Sequence, residues 1–402
     1  MRFLILNTDY PEFLAWLYAQ NPGLGNLPYE EQMRARNESL FGVADFYSSN
    51  LRKLGHEAWE IHANNESMQK AWAREHGIDV DTGSKLSQRY RNIIGKGVSI
   101  AAKTPMRHLR PIARPVLRSL SLNRQQTWFY DILTAQIKHY NVDILLNQAM
   151  DSVEGRFLLE MKPHVKMLIG QIASPLPQNE DFRIYDLVIS SLPNLVEHFR
   201  NMGIPSELNR LAFEPRVLQK LKNNNGDMIP VSFVGNLFQA HASRVVWLEH
   251  LCRKLDISIW GTGIESLPAN SPIRGCYNGQ AWGVNMFQIL HRSKITLNHH
   301  GDVAPYANNM RLYEATGVGA LLVTDWKPNL HEMFEPGKEV VAYRTREECA
   351  EFIQYYLEHD EQREAIARAG QARTLREHTY YKRMQELVKI VMPLLYSQKN
   401  RG

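Results

Sequence analysis

The chain has 402 residues, which is too long for one ordinary hydrophobic core. This length predicts two domains of about 200 residues each. Apolar residues make up 44% and charged residues 22%, which excludes a disordered or fibrous protein. The apolar run at residues 3–6 is too short for a signal peptide, and no apolar stretch reaches the roughly 18 residues of a membrane span. These features predict a cytoplasmic protein.

The net charge of +5 is concentrated in one segment. Ten lysines and arginines lie within residues 85–124, and no Asp or Glu lies between Asp81 and Asp131, so removing that segment leaves the rest at −5. Three interpretations stay open: a solvated helical insert over about residues 66–124, a surface for anionic lipid at the inner face of the membrane, and a surface for a phosphate-bearing acceptor. Nucleic acid is not expected, because few aromatic residues accompany the basic ones.

Metal and disulfide chemistry are not expected from the pattern of ligating residues. Cys252, Cys276 and Cys349 are scattered, odd in number and form no CxxC pair. The cluster of His299, His300 and Asp302 lacks a helical i, i+4 pair and a clear third ligand. No GxSxG, Walker A, HExxH or kinase motif occurs, which removes the enzyme classes with the strongest signatures.

The first half of the chain alternates strand and helix patterns. Strands are predicted at residues 2–6, 56–61, 142–146, 165–171 and 185–190, and helices at 13–17, 41–54, 128–140 and 194–202. This alternation predicts a parallel sheet that is covered on both faces. No GxGxxG follows the first strand, so the dinucleotide fingerprint is absent.

Residues 214–230 contain two prolines and a polar Asn-Gly turn, and they predict a junction between two domains. A second alternation follows. Its strands are predicted at 231–235, 257–261, 295–297, 320–323 and 339–343, and its helices at 244–255, 286–291, 309–316, 346–358 and 361–377. The amphipathic tail at 380–396 is long enough to reach back to the first domain. The predicted domains are 1–215, 216–378 and a C-terminal helix at 379–402.

The stretch at residues 294–325 reads as a strand, a polar loop, a short helix and a strand, the size of one βαβ crossover. Ligands of such units collect at the carboxyl ends of the strands. Glu314 follows Arg311 at i, i+3 spacing, which indicates either a surface ion pair or a carboxylate that accepts hydrogen bonds from a ribose diol. Gly235 and Asn236, after another strand, are expected to offer N–H groups to a phosphate, with Arg244 as countercharge.

Residues 309–379 resemble the C-terminal domain of GT-B glycosyltransferases, closest to the group-1-like branch with the spore-maturation-protein-type transferases. A weaker resemblance extends back to residue 233, through the Gly-Thr-Gly turn at 261–263, and to residues 186–218. It implies an α/β fold of GT-B architecture: two Rossmann-like doubly wound domains facing a central cleft, a helical basic insert in the first, and a C-terminal helix returning to it. It also implies a transferase that binds a nucleotide sugar mainly through the second domain.

The resemblance assigns donor binding to one set of residues: Gly235, Asn236, Arg244, Gly261, Gly263, Asn308, Asn309, Met310, Arg311 and Glu314. In related retaining enzymes two glutamates stand eight positions apart and face the donor. Glu314 matches the second, and Tyr306 stands in the place of the first. Gln171 stands where a histidine commonly lines the first-domain side of the cleft.

The implied reaction needs no cofactor and no metal, because N–H groups and arginine stabilise the departing diphosphate. Retention is expected, with Gln171 beside the reaction and the leaving phosphate assisting deprotonation of the acceptor. In an inverting reaction Asp9 or Asp151 is the candidate base. The acceptor is a glycan, a lipid-linked molecule, a small molecule or a protein. The alternatives are a catalytically silent nucleotide-binding or scaffold protein and a nucleotide-sugar epimerase.

Overall fold

The structure is a computed structural model. It describes residues 1–79, 127–178, 180–222, 228–238, 242–301 and 304–399. The basic segment 85–124, and with it most of the predicted insert at 66–124, lies outside the described residues.

The strands pair in parallel. They are β1 (Arg2–Asn7), β2 (Glu57–His62), β3 (Ile144–Asn147), β4 (Met167–Gln171), β5 (Leu187–Ser190), β6 (Ser206–Leu208), β7 (Ile229–Val234), β8 (Ser258–Trp260), β9 (Ser293–Asn298), β10 (Leu321–Asp325) and β11 (Val341–Tyr343). Parallel pairing requires a crossover connection between strands, and helices supply it here.

The α-helices alternate with these strands along most of the chain. They are α1 (Pro11–Gln20), α2 (Tyr29–Glu38), α3 (Phe46–Lys53), α4 (Glu66–Glu75), α5 (Thr127–Tyr140), α6 (Gly155–Met161), α7 (Pro193–Asn201), α8 (Ala242–Cys252), α9 (Ile273–Cys276), α10 (Gly283–His291), α11 (Arg311–Gly317), α12 (Arg346–Glu358), α13 (Asp360–Glu377) and α14 (Tyr380–Lys399). The predicted strand–helix alternation of both halves is confirmed.

The first of two compact units comprises residues 1–36, 57–170 and 177–185. Its strands run in the order β2-β1-β3-β4. In β1 the four residues Phe3 to Leu6 are at most 1% exposed. Continuous burial of this kind is typical of a parallel strand covered on both faces, and it explains why the sequence here shows an apolar run rather than alternation.

The second unit comprises residues 37–56, 171–176 and 186–402. In it β5 pairs with β6, and five strands form a sheet in the order β11-β10-β9-β7-β8. Its apolar core joins the sheet to the flanking helices through Phe233, Leu248, Leu297, Val323 and Ile353. The predicted domain boundaries at 215 and 378 do not coincide with the limits of these two units, and they stay a prediction.

One predicted helix is shorter than its apolar pattern. The pattern predicts a helix over 41–54, whereas α3 begins at Phe46. The backbone just before it adopts left-handed conformations at Gly42 (φ 61°) and Ala44 (φ 40°). Left-handed residues cannot continue a right-handed helix, so the apolar residues before Phe46 belong to a turn.

The C-terminal helix α14 packs against α3, within the second unit. The Tyr380 ring lies 5.0 Å from the Phe46 ring and 5.7 Å from the Tyr47 ring, measured between centroids. Two backbone hydrogen bonds fix the start of the helix: Phe213 N–H donates to His378 O at 2.8 Å, and Tyr380 N–H donates to Phe213 O at 3.0 Å. The tail therefore returns to residues far earlier in the chain, and its packing on the first domain stays a prediction.

His378, at this anchor, is buried in its neutral form. Its Nε2–H donates to Met333 O at 2.8 Å, and its Nδ1 accepts from Arg383 Nη2 at 2.8 Å. Burial, together with the charge of Arg383, lowers the pKa of His378 to about 4. The imidazolium form is disfavoured because Nδ1, which accepts a hydrogen bond from the charged Arg383, cannot carry a proton at the same time.

We expect His378 to make the protein less stable in acid. An unfolded histidine has a pKa of about 6.5, so the unfolded state binds the proton first as the pH falls. The residue should therefore remove about 2 kcal/mol of unfolding free energy between about pH 7 and about pH 5. Urea denaturation at both pH values should show a smaller loss for His378→Gln. The exposed His331→Gln should keep the native loss, and equal losses in all three proteins would contradict the assignment.

Candidate functional site

The carboxyl ends of the five parallel strands in the second unit meet at one edge of the sheet. Strand β7 has β8 on one side and β9 on the other, so the strand order reverses between β7 and β9. In open α/β sheets ligands bind at such a reversal, beside the carboxyl ends of the strands. The predicted donor-binding residues at 235–236, 261–263 and 308–314 all belong to this edge or to the loops that follow it.

Arg244, near the start of α8, spans the reversal. Its Nη1 donates to Asn236 O at 3.1 Å, after β7, and its Nη2 donates to His299 O at 3.0 Å, after β9. Its Nε lies 3.3 Å from the same His299 oxygen. The guanidinium thus ties the two strand ends together and places a positive charge between them. The side chain predicted as a phosphate countercharge therefore has a structural role, and its contact with a phosphate stays a prediction.

Gly235 and Gly261 allow two turns to touch. A Cβ at Gly261, where φ is 154°, would lie 1.7 Å from Gly235 O. The N–H of Gly235 donates to Trp260 O at 2.9 Å. This N–H is therefore occupied by the neighbouring strand, and the expectation that it would be open to a phosphate is wrong in that detail. The two glycines serve close approach of the backbones.

The turn after β8 supports the turn after β7 in the same way. Leu237 N–H donates to Thr262 O at 2.8 Å, and Phe238 N–H donates to Asn236 Oδ1 at 2.9 Å. Gly263 has φ 94°, and a Cβ there would lie 2.9 Å from the Phe238 nitrogen. These bonds give the 235–238 loop one fixed shape.

A chain of amide hydrogen bonds sets the entry to α11. Asn309 Nδ2 donates to Asn298 Oδ1 at 2.7 Å, and Asn298 Nδ2 donates to Thr324 Oγ1 at 2.9 Å. Asn309 Oδ1 also accepts from the N–H of Leu312 at 3.3 Å, at the start of the helix. Asn308 and Met310 on either side are half-buried. The loop is thereby tied to the ends of both β9 and β10.

Arg311 and Glu314, on α11, form a buried ion pair. Their Nη1 and Oε2 atoms are 2.8 Å apart, and the side chains are 12% and 8% exposed. Burial raises the pKa of Glu314, against the opposing charge of Arg311, and burial also lowers the pKa of Arg311. Arg311 Nη2 contacts the sulfur of Met286 at 3.5 Å, and within the described residues its Nε has no hydrogen-bond acceptor. The pair therefore holds polar groups that a ligand could satisfy.

A second acid–base pair lies at the ends of β9 and β10. Asp325 Oδ1 accepts from the N–H of His300 at 2.9 Å and lies 2.6 Å from its Nδ1, and Lys327 Nζ lies 3.2 Å from Oδ2. Burial tends to raise the pKa of Asp325, but His300 outweighs it and holds that pKa below its usual range. Asp325 is not among the predicted site residues, although its position at the carboxyl end of the buried strand β10 was an available signal.

The described residues contain no group of three His, Cys, Asp or Glu side chains arranged to hold a metal ion. His299, one of the residues weighed as a ligand, instead stacks on Trp247, with ring centroids 5.1 Å apart. Its Nδ1 lies 3.0 Å from Tyr343 Oη. Asp302 lies outside the described residues.

In the first unit Asp9 belongs to a buried charge cluster. Both of its oxygens meet the guanidinium of Arg36, and Oδ2 also lies 3.2 Å from Nδ1 of His62. Burial tends to raise the pKa of Asp9, but the charges of Arg36 and His62 outweigh it and hold that pKa below its usual range. A carboxylate so fully engaged is a weak proton acceptor. No local pattern reveals this cluster, because its members come from separate elements.

The other two predicted catalytic residues have less crowded surroundings. Asp151, in the first unit, is exposed and accepts a hydrogen bond from Ser152 Oγ at 2.9 Å. Gln171, in the second unit, donates from Nε2 to Tyr47 Oη at 2.8 Å. The amide of Gln171 is thereby oriented at the end of β4.

Comparison with known proteins identifies the architecture. Residues 244–389 match a protein family described as glycosyl transferase-like. A glycosyltransferase from Rickettsia africae aligns over 98% of this chain and 99% of its own, with TM-score 0.55 and 12% identity. Anabaena HepE in complex with UDP-glucose aligns over 98% and 100%, with TM-score 0.57 and 10% identity. The chain has a GT-B fold.

AviGT4, a glycosyltransferase involved in avilamycin A biosynthesis, agrees with this fold over 99% of both chains, with TM-score 0.52 and 11% identity. A search of curated proteins returned no match. None of the helices in the described ranges combines the length and the apolar composition needed to cross a membrane. The GT-B fold thus confirms the predicted pair of parallel-sheet, Rossmann-like domains.

Proposed function

We propose that the chain is a glycosyltransferase that binds a nucleotide sugar at the β7–β9–β10 edge of its second unit. The observation that supports this proposal is the buried Arg311–Glu314 ion pair, which lies inside the glycosyl transferase-like segment at residues 244–389. Glu314 would accept hydrogen bonds from the ribose hydroxyls. Arg244 and Arg311, with the loops at 235–238, 261–263 and 308–310, would meet the diphosphate and the sugar.

Transfer breaks the bond between the anomeric carbon and the diphosphate oxygen, and the diphosphate leaves with the electron pair. Fixed cations near that oxygen lower the barrier, because they stabilise charge that develops in the transition state. We propose that Arg244 and Arg311 supply these cations without a metal ion. Retention follows if the leaving phosphate also accepts the acceptor's proton, with Gln171 orienting the reacting groups.

A uridine nucleotide is the first donor to test, since solved structures of HepE hold UDP and UDP-glucose. Titration calorimetry should show binding of UDP, and a panel of UDP-hexoses should yield free UDP in the presence of candidate acceptors. Chelation of divalent ions should leave the rate unchanged. If no nucleotide or nucleotide sugar binds at millimolar concentration, the proposal is wrong.

One observation favours a second function. Tyr306, half-buried, stands where the resemblance places the first of two glutamates, so a nucleotide-binding protein without transfer activity is the alternative. Binding of UDP with no hydrolysis and no transfer would support it. Formation of an isomeric nucleotide sugar without any acceptor would instead indicate an epimerase.

We expect Asp151→Asn to keep transfer activity within about twofold of the native rate, because a retaining reaction takes no base from this carboxylate. Its exposed position predicts a change in unfolding free energy below about 0.5 kcal/mol. Initial rates and the anomeric configuration of the product, read by NMR, check this. A loss of about a hundredfold or more, with inverted product, would establish Asp151 as the general base.

The acceptor belongs to the same proposal. The basic segment 85–124, outside the described residues, supplies ten positive charges that suit a phosphate-bearing acceptor or an anionic membrane surface. Sedimentation with anionic and with neutral vesicles separates the two. Co-sedimentation with anionic vesicles but not with neutral ones would indicate that the segment binds a membrane surface.

A further inference from the structure

His300 is held in one orientation by Asp325. The ring Nδ1 lies 2.6 Å from Asp325 Oδ1, and the same oxygen accepts the backbone N–H of His300 at 2.9 Å. Two contacts to one carboxylate fix both the ring and the backbone that carries it. Because Nδ1 faces a carboxylate, it carries the proton, and the second nitrogen, Nε2, remains for another partner.

Within the described residues Nε2 of His300 has no hydrogen-bond partner, although the residue is only 2% exposed. An unsatisfied buried nitrogen costs free energy, so a site that keeps one usually presents it to water or to a ligand. The contacts with Asp325 use the backbone N–H and Nδ1 of this histidine, and they do not use Nε2. The atom is thus available for binding.

The surroundings of His300 favour an anion. The carbonyl of the preceding residue, His299, accepts a hydrogen bond from Arg244. The guanidinium therefore lies at the same strand end as His300. Lys327 lies 3.2 Å from the other oxygen of Asp325 and compensates its charge. Two cations, Arg244 and Lys327, and one carboxylate, Asp325, therefore lie near this strand end, and their summed charge is positive.

We infer that Nε2 of His300 donates a hydrogen bond to a phosphate oxygen of the nucleotide donor, with Asp325 as the residue that positions the ring. This rests on the proposed function, and it adds a donor-binding residue that the resemblance does not assign. Because Nδ1–H is held by Asp325, donation from Nε2 as well requires the imidazolium, the form that carries a proton on both nitrogens.

The charged and titratable groups around the ring are Asp325, Lys327, Arg244 and His299. Burial lowers the pKa of His299.

Titration calorimetry with UDP and with uridine tests the inference. His300→Gln should weaken UDP binding about 10- to 100-fold, the range of one charge-assisted hydrogen bond, and leave uridine affinity unchanged. The uridine arm also shows that the variant is folded. The exposed His331→Gln is the matched control and should bind both ligands as the native chain does. Unchanged UDP affinity in His300→Gln would overturn the inference, whereas no UDP binding by the native chain would overturn the proposed function instead.

Proton uptake gives a second readout that a merely structural histidine would not change. UDP binding near pH 8, measured in two buffers of different ionisation enthalpy, should show net proton uptake by the native chain and none by His300→Gln. Asp325→Asn should reduce the uptake, because the neutral amide stabilises the imidazolium less. Equal uptake in the native chain and His300→Gln would contradict the assignment.

Discussion

Glu314→Ala should lower the free energy of unfolding by about 3–5 kcal/mol and weaken nucleotide binding. The substitution leaves the guanidinium of Arg311 buried without its countercharge, and an uncompensated buried charge costs this much. Urea denaturation and UDP calorimetry measure the two effects. Glu351→Ala, at an exposed position of α12, should change unfolding by less than about 0.5 kcal/mol.

Stability and ligand binding at this pair can be separated by removing both charges. In the double variant Arg311→Met with Glu314→Leu, apolar side chains of similar size replace the ion pair, and much of the lost stability should return. Nucleotide affinity should not return, because no carboxylate faces the ribose. Recovery of affinity in the double variant would show that the pair serves the fold alone.

Gly261→Ala is the second change with a large expected effect. The new Cβ would stand 1.7 Å from Gly235 O, so one of the two turns must move. We expect a loss of at least about 3 kcal/mol in unfolding free energy, and weaker UDP binding, because the 235–238 loop loses its fixed shape.

A matched glycine isolates the steric part of that loss. Gly337 also has a positive φ, 83°, but a Cβ there would meet nothing within 4 Å. Gly337→Ala should therefore cost only the left-handed backbone term of about 1 kcal/mol and leave nucleotide binding unchanged. If the two alanine variants lose the same stability, the close approach of Gly235 and Gly261 has no energetic weight.

Sequence reasoning located the elements well where the signal is local. Helix and strand periods follow from neighbouring residues, so the alternation in both halves was readable. The Arg311–Glu314 contact was readable too, because residues three apart on a helix share a face. Boundaries were less certain, as the late start of α3 at Phe46 shows.

Burial and long-range pairing were not readable in this way. The i, i+3 spacing of Arg311 and Glu314 is equally compatible with an ion pair on the surface. Only the packing around α11 shows that the pair is buried. Arg244 reaches a carbonyl 55 residues away, and Asp9 meets Arg36 across 27 residues. No local period encodes such contacts, because they depend on which strand ends the sheet order brings together.

The sequence by itself determined the α/β alternation and the two-part organisation, and it predicted the stretch at 294–325 as the place for a ligand. The tertiary structure decided how that stretch is built. It closed Gly235 onto Gly261, and it placed Asp325 against His300, whose buried Nε2 has no hydrogen-bond partner in the part of the chain that the structure describes. The physical reason is that propensity acts between neighbours in sequence, whereas desolvation and charge pairing act between neighbours in space.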